Sequence, residues 1–201
     1  RDLAWTFLDA GRRAERALRT VDLLRQTLAQ ERPPVVDGQL TESVLRSCDS
    51  LITYRRRLAA GQGPASPVQA ALDLLLLDPA NPRSVRFQLD QLDIALRDIQ
   101  DPDVTRRVSA ARGVLAGIDL DTVCGSQRTG LQQVLQELHS LLTQLGAAIE
   151  TTYFSRTSTQ QAMRAEFAEP EGMRQSTGGT QHQTMGGAGG MTQIMSPMGE
   201  S

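Results

Sequence analysis

The chain has no lysine: all 21 of its basic residues are arginine. That excludes Schiff-base chemistry on a lysine and the lysine of a phosphate-binding loop. Aromatic residues make up only 3% of the 201 residues, so a core must be aliphatic, built from the Leu, Val, Ile and Ala that also favour helices. A β-sandwich is disfavoured on that ground. Cysteine and histidine are equally scarce. Cys48 and Cys124 form no C-x-x-C motif and read as small buried side chains, while His139 and His182 have no Ser-His-acid or Cys-His partner in the pattern. H-E-x-x-H, E-x-x-H and glycine-rich phosphate motifs are missing too. No metal, no cofactor and no catalytic residue set is therefore expected. The longest apolar run, residues 74–77, is far too short for a bilayer span, and nothing resembles a signal peptide, so a cytoplasmic protein is the expectation. A net charge of −2 and a pI near 5.7 argue against nucleic acid or an anionic membrane as partner. Any basic recognition surface must be local.

What is present is helical periodicity. The 39% hydrophobic content suffices for one domain plus a tail. The spacing predicts a first helix over residues 2–30, with Ala4, Phe7, Leu8, Ala14, Leu18, Val21, Leu24 and Leu28 inward, ending before Pro33-Pro34. A second helix is expected to start at Thr41 after Asp37-Gly38, with Val44, Leu45, Cys48, Leu51, Ile52 and Leu58 on its buried face, and to break at Gly61. Ser66-Pro67 and Asn81-Pro82 each pair a cap with a proline at the first helical position, opening a short third and a longer fourth helix. The fourth carries the heptad-like stripe Val85, Leu89, Leu92, Leu96 and Ile99. Asp101-Pro102 opens a fifth helix ending near Gly117, and a sixth, strongly periodic one follows over residues 127–154. The expectation is an all-α fold: an antiparallel bundle of about six helices over residues 1–154. From residue 155 the composition turns to Gly, Ser, Thr, Gln and Met, and residues 155–201 read as a disordered tail. Its methionines are too irregular for a soft-metal site, and the opening at Arg1, already helix-like, suggests a fragment.

Three groups stand out. In the first, Arg12, Glu15, Arg16 and Arg19 share one helical face; Gly11 beside them reads as a close helix contact. The face is either solvated, with exposed ion pairs worth roughly 0.3–0.5 kcal/mol each, or an anion site whose guanidinium forks Glu15 holds in place. In the second, Arg55, Arg56 and Arg57 end the second helix. They suit its negative dipole end, yet point about 100° apart and cannot all serve the same carbonyls, which leaves one or two free for a neighbouring helix or a ligand. In the third, residues 78–87, Arg83 sits at a helix start, where a cation needs an acid such as Asp78 or Glu15. Structural pairing and ligand contact both remain open for it.

These groups lie in WTFLDAGRRAERALRT (5–20), ESVLRSCDSLITYRRR (42–57) and LDLLLLDPANPRSVRFQLDQL (72–92), which together resemble the alpha-E family, a bacterial all-helical family named for a Glu-Arg motif. The resemblance covers most of residues 1–154. Members of that family usually begin with an additional Gly-Arg-x-x-Glu-Arg helix. This chain resembles the C-terminal part, with Gly11 to Arg16 as the second copy, which implies a missing N-terminal portion. The resemblance further implies a partner, a circularly permuted ATP-grasp amidoligase fused upstream or encoded separately, often with a transglutaminase-like peptidase. On it we expect a non-catalytic accessory or scaffold module that presents Arg12, Glu15, Arg16, Arg55, Arg56, Arg57 and Arg83 to a peptide carboxylate or another anion. The competing readings are an independent enzyme using Glu15 as acid or base, and a purely structural role for the Glu-Arg pairs.

Overall fold

The structure is a computed structural model, described here for residues 3–64, 66–96 and 101–154. Helix α1 (Leu3–Thr27) is followed by α2 (Pro34–Ser47), α3 (Leu51–Ala59), α4 (Pro67–Leu72), α5 (Val85–Leu96), α6 (Pro102–Ala116), α7 (Leu120–Val123) and α8 (Thr129–Phe154). Helix α4 continues as a π-helical stretch, Asp73–Leu77, and a 3₁₀ turn, Ser126–Arg128, leads into α8. Among the described residues there is no strand, and no helix is long and apolar enough to cross a membrane. The tail expected over residues 155–201, like Ile99, lies outside the described residues.

Four helices close a ring in which α1 packs on α5 and α8, and α6 packs on the same two. The buried stripe of α1 is Ala10, Ala14, Ala17, Val21 and Leu24, continued by Leu28 just past its end, and that of α8 is Leu131, Leu135, Leu138, Leu142, Leu145 and Ile149. Both step by four and three, the spacing of helix-on-helix packing. Pairing of Asp22 with His139 and of Arg25 with Gln136 shows these two helices to be antiparallel. The alanines explain a departure from expectation. Small side chains let α1 approach both neighbours, so its stripe runs through Ala10 and Ala17 and leaves Leu8 exposed. Each fully buried leucine contributes roughly 1.5–3 kcal/mol over an exposed one. Gly11, expected at a close helix contact, faces open space, since a Cβ there would meet nothing within 4 Å.

The segment between α1 and α5 departs most from the sequence reading. Helix α2 starts at Pro34, seven residues before Thr41, and runs straight through Gly38. Proline at its first position needs no amide partner, and Asp37 in its first turn faces the positive end of the helix dipole. Asp37 also meets Arg128 in a buried ion pair, and Arg128 further donates to Leu28 O at 3.2 Å and Gln30 O at 3.1 Å. One guanidinium thus joins the end of α1, the start of α2 and the start of α8.

The expected second helix is in fact two. Asp49 takes the left-handed conformation (φ 49°), Ser50 N donates to Leu45 O and Asp49 N to Arg46 O, a Schellman-type stop. The chain restarts at Leu51 on a new axis, which turns Ile52 (76% exposed) and Leu58 (57%) to solvent instead of the core and buries Tyr54. Further along, the π stretch accommodates three consecutive buried residues, Leu74, Leu75 and Leu76, which one face of a regular helix cannot bury.

Candidate functional site

The turn from Asp78 to Ser84 is held by a chain of side-chain bonds. Arg57, on α3, pairs with Asp78 and reaches Asp73 at 3.4 Å. Asp78 Oδ1 accepts from Ala80 N at 2.8 Å, and Asp78 O accepts from Ser84 Oγ at 2.5 Å. Asn81 Nδ2 donates to Leu74 O at 2.8 Å while its Oδ1 accepts from Arg83 N at 3.1 Å. Ser84 Oγ caps α5 by accepting from Phe87 N at 3.0 Å, and Gln88 Nε2 donates to Pro82 O. A turn wired at each of these points presents Arg83 in a defined place.

That place is a surface cleft of about 390 Å³ whose walls include Arg16, Arg19 and Thr20 of α1, Cys48 and Asp49 at the α2–α3 stop, and Pro82, Arg83 and Gln88. Arg16 and Arg83, distant in sequence, therefore meet at one site. Asp49, not the expected Asp78 or Glu15, is the acid beside Arg83, at 3.4 Å. Asp78 is engaged by Arg57, and Glu15 by Arg19 at 2.5 Å. No carboxylate among the described residues stands within ion-pair distance of Arg16. Gln88 is 2% exposed, and although its Nε2 is bonded, its Oε1 has no hydrogen-bond partner. A buried acceptor left unmatched costs roughly 1–3 kcal/mol, so that oxygen calls for a donor.

The other expected site residues divide. Arg57 is engaged by its two aspartates and does not line the cleft. Arg55 pairs with Glu42 at 3.2 Å on the surface, where such a pair contributes roughly 0–1 kcal/mol. Arg12 and Arg56 are exposed and line no part of the cleft. Sequence reasoning missed Cys48, Asp49 and Gln88. The Asp-Ser pair after α2 carried a weak helix-stop signal, but a glutamine inside a helical stripe carried none.

The Cys48 thiol in the cleft wall is not activated for covalent chemistry. Burial pushes the Cys48 thiol above its ordinary pKa; the Asp49 carboxylate pushes the same way and Arg83 opposes. A thiol held protonated is a weak nucleophile. Glu15 is exposed and paired with Arg19, with no nucleophile beside it. Among the described residues no group of three His, Cys, Asp or Glu is placed to hold a metal ion.

The fold is a helical-bundle module with an arginine-lined surface cleft. Residues 1–154 match the Alpha-E family, described as a predicted alpha-helical domain with a conserved ER motif, and the chain belongs to that family. Uncharacterized proteins of Mycobacterium bovis and of two strains of Mycobacterium tuberculosis are each 40% identical to it over 98 residues. That stretch is 49% of this chain and 11% of each relative's length. No solved structure matches the chain.

Proposed function

We propose that this chain is a non-catalytic helical module of a peptide-modifying system, working in the cytoplasm beside an ATP-grasp amidoligase and binding an anionic or peptide ligand. The observation that carries the reading is the meeting of Arg16, Arg19 and Arg83 on one cleft, reached from α1 and from the turn before α5. Arginine forks bind carboxylates and phosphates bidentately, and Arg16 has its fork free of any acid among the described residues. The family context of an amidoligase partner supports the assignment. So does the length of the mycobacterial relatives, in which the matched stretch is a small part of a much longer chain. Of the expected ligand residues, Arg12, Arg55 and Arg56 are assigned to a partner-facing surface, and Arg57 to positioning the turn.

The test is co-purification of the chain with a candidate ATP-grasp amidoligase, fused upstream or encoded separately, followed by ligation assays with wild type and Arg16→Gln. Association, with ligation reduced by the variant, is the expected result. Absence of association together with unchanged ligation refutes the reading. Turnover by the isolated chain, abolished by Glu15→Gln without unfolding, would make it an enzyme instead.

A further inference from the structure

We propose that the cleft recognises an α-carboxylate whose neighbouring nitrogen carries a proton, the chemistry shared by a peptide C-terminal residue and a free amino acid. The inference rests on the reading of the cleft as a ligand site and adds the ligand's class. Its first support is charge. Arg19 is paired with Glu15 and Arg83 with Asp49, so among the described residues of the cleft wall Arg16 is left as the uncompensated cation. One net positive charge matches a carboxylate better than a dianionic phosphate.

The second support is Gln88. The residue is only 2% exposed, it lines the cleft, and its Oε1 is without a partner. The amide cannot simply reverse, because Nε2 is committed to Pro82 O. An anion with no proton to donate, such as acetate, satisfies the arginines and leaves this oxygen unmatched. That oxygen is closed to solvent beneath the cleft wall, so a ligand that places an N–H next to its carboxylate satisfies both once its binding displaces the cover over Gln88. The volume of about 390 Å³ lies at the lower end of small-molecule sites, enough for one or two residues.

Calorimetric titration of the full chain tests this with N-acetylglycine, N-acetylsarcosine, glycine and inorganic phosphate as probes. N-acetylsarcosine keeps the carboxylate and replaces the N–H by N–CH₃. The expected result is saturable binding of N-acetylglycine or glycine at least about tenfold tighter than N-acetylsarcosine and phosphate, the range of one hydrogen bond to a buried acceptor. N-acetylglycine ahead of glycine identifies a peptide end, and the reverse order a free amino acid. Arg16→Gln weakens the preferred probe by about tenfold or more, as expected for loss of a charge-assisted bond. In Gln88→Met, preference over N-acetylsarcosine disappears; should that variant not fold, the comparison between probes on the wild-type chain decides. Equal affinity for N-acetylglycine and N-acetylsarcosine, tighter binding of phosphate, or no saturable binding of either amino-acid probe overturns the proposal. Amidoligase association is measured separately, so its failure and the failure of this inference are distinguishable.

Discussion

Arg128→Met is the most informative perturbation of the fold. Arg128 and Asp37 have side chains only 10% and 9% exposed, and the guanidinium serves both carboxylate oxygens together with Leu28 O and Gln30 O. Methionine retains most of the side-chain volume and the left-handed backbone that Arg128 adopts at φ 52°, so the substitution chiefly removes the charge. It leaves the Asp37 carboxylate buried without its cation. Breaking a buried pair in this way costs about 3–5 kcal/mol, and for a domain of this size each kcal/mol lowers Tm by about 2–4 °C. A fall of about 6–20 °C is expected in a circular-dichroism melt. The control is Arg55→Ala, whose pair with Glu42 has side chains 59% and 48% exposed, and which should cost under about 1 kcal/mol. The double variant Asp37→Leu with Arg128→Met should recover at least about 2 kcal/mol relative to the sum of the single variants, because neither then strands a charge. The reasoning is refuted if Arg128→Met melts no lower than Arg55→Ala, or if the two single effects add.

Asp101 accepts from Asp103 N at 2.9 Å and Val104 N at 3.1 Å at the start of α6; Asp101→Ala should lower stability by about 1 kcal/mol, and Asp101→Ser should restore most of it in urea titrations. Cys48, its thiol raised chiefly by burial, should be alkylated by iodoacetamide at pH 8.5 more slowly in the folded chain than in urea. The linked stability has a definite sign: it is fully present below the ordinary thiol pKa and declines as pH rises through the raised value, since the unfolded chain ionises first. Arg83→Gln removes the one cation that opposes the shift, so alkylation at a fixed pH should slow further, which a labelling time course reads directly. Arg57→Met leaves Asp78 (9% exposed) without its cation; a loss of about 1–3 kcal/mol in urea titrations is expected, and ligand affinity at the cleft should fall although Arg57 is not part of its wall.

The bundle was legible because its signal is periodic and redundant. Six inward positions on α8 at steps of four and three identify a helix whatever surrounds it, and Asp101-Pro102 marks a helix start by local chemistry alone. The region from Pro33 to Leu58 was misread because its decisive partners are far along the chain. Asp37-Gly38 has the composition of a turn, and it is helical because Arg128, 91 residues away, neutralises Asp37 at the helix start. Asp49 stops a helix in a conformation usually left to glycine, so its residue type gave little warning of the break that exposes Ile52 and Leu58.

The site divides along the same physical line. Arginine spacing on α1 and the two prolines of the turn are local, and from them Arg16 and Arg83 were legible as candidates. Their meeting on one cleft is tertiary, and it depends on what Arg57 does. Read alone, Arg55, Arg56 and Arg57 are equivalent cations at a helix end. In the fold Arg57 alone turns inward, holding Asp78, whose carbonyl holds Ser84, whose hydroxyl caps the helix that carries Gln88. A residue that resembles a ligand contact thus acts through the shape of a turn, while a glutamine hidden in an apolar stripe carries an unmatched oxygen beneath the cleft wall. Charge patterning finds the groups able to attract an anion. The acceptor by which the cleft would select among anions lies in the core-facing row, where periodicity assigns every position to packing.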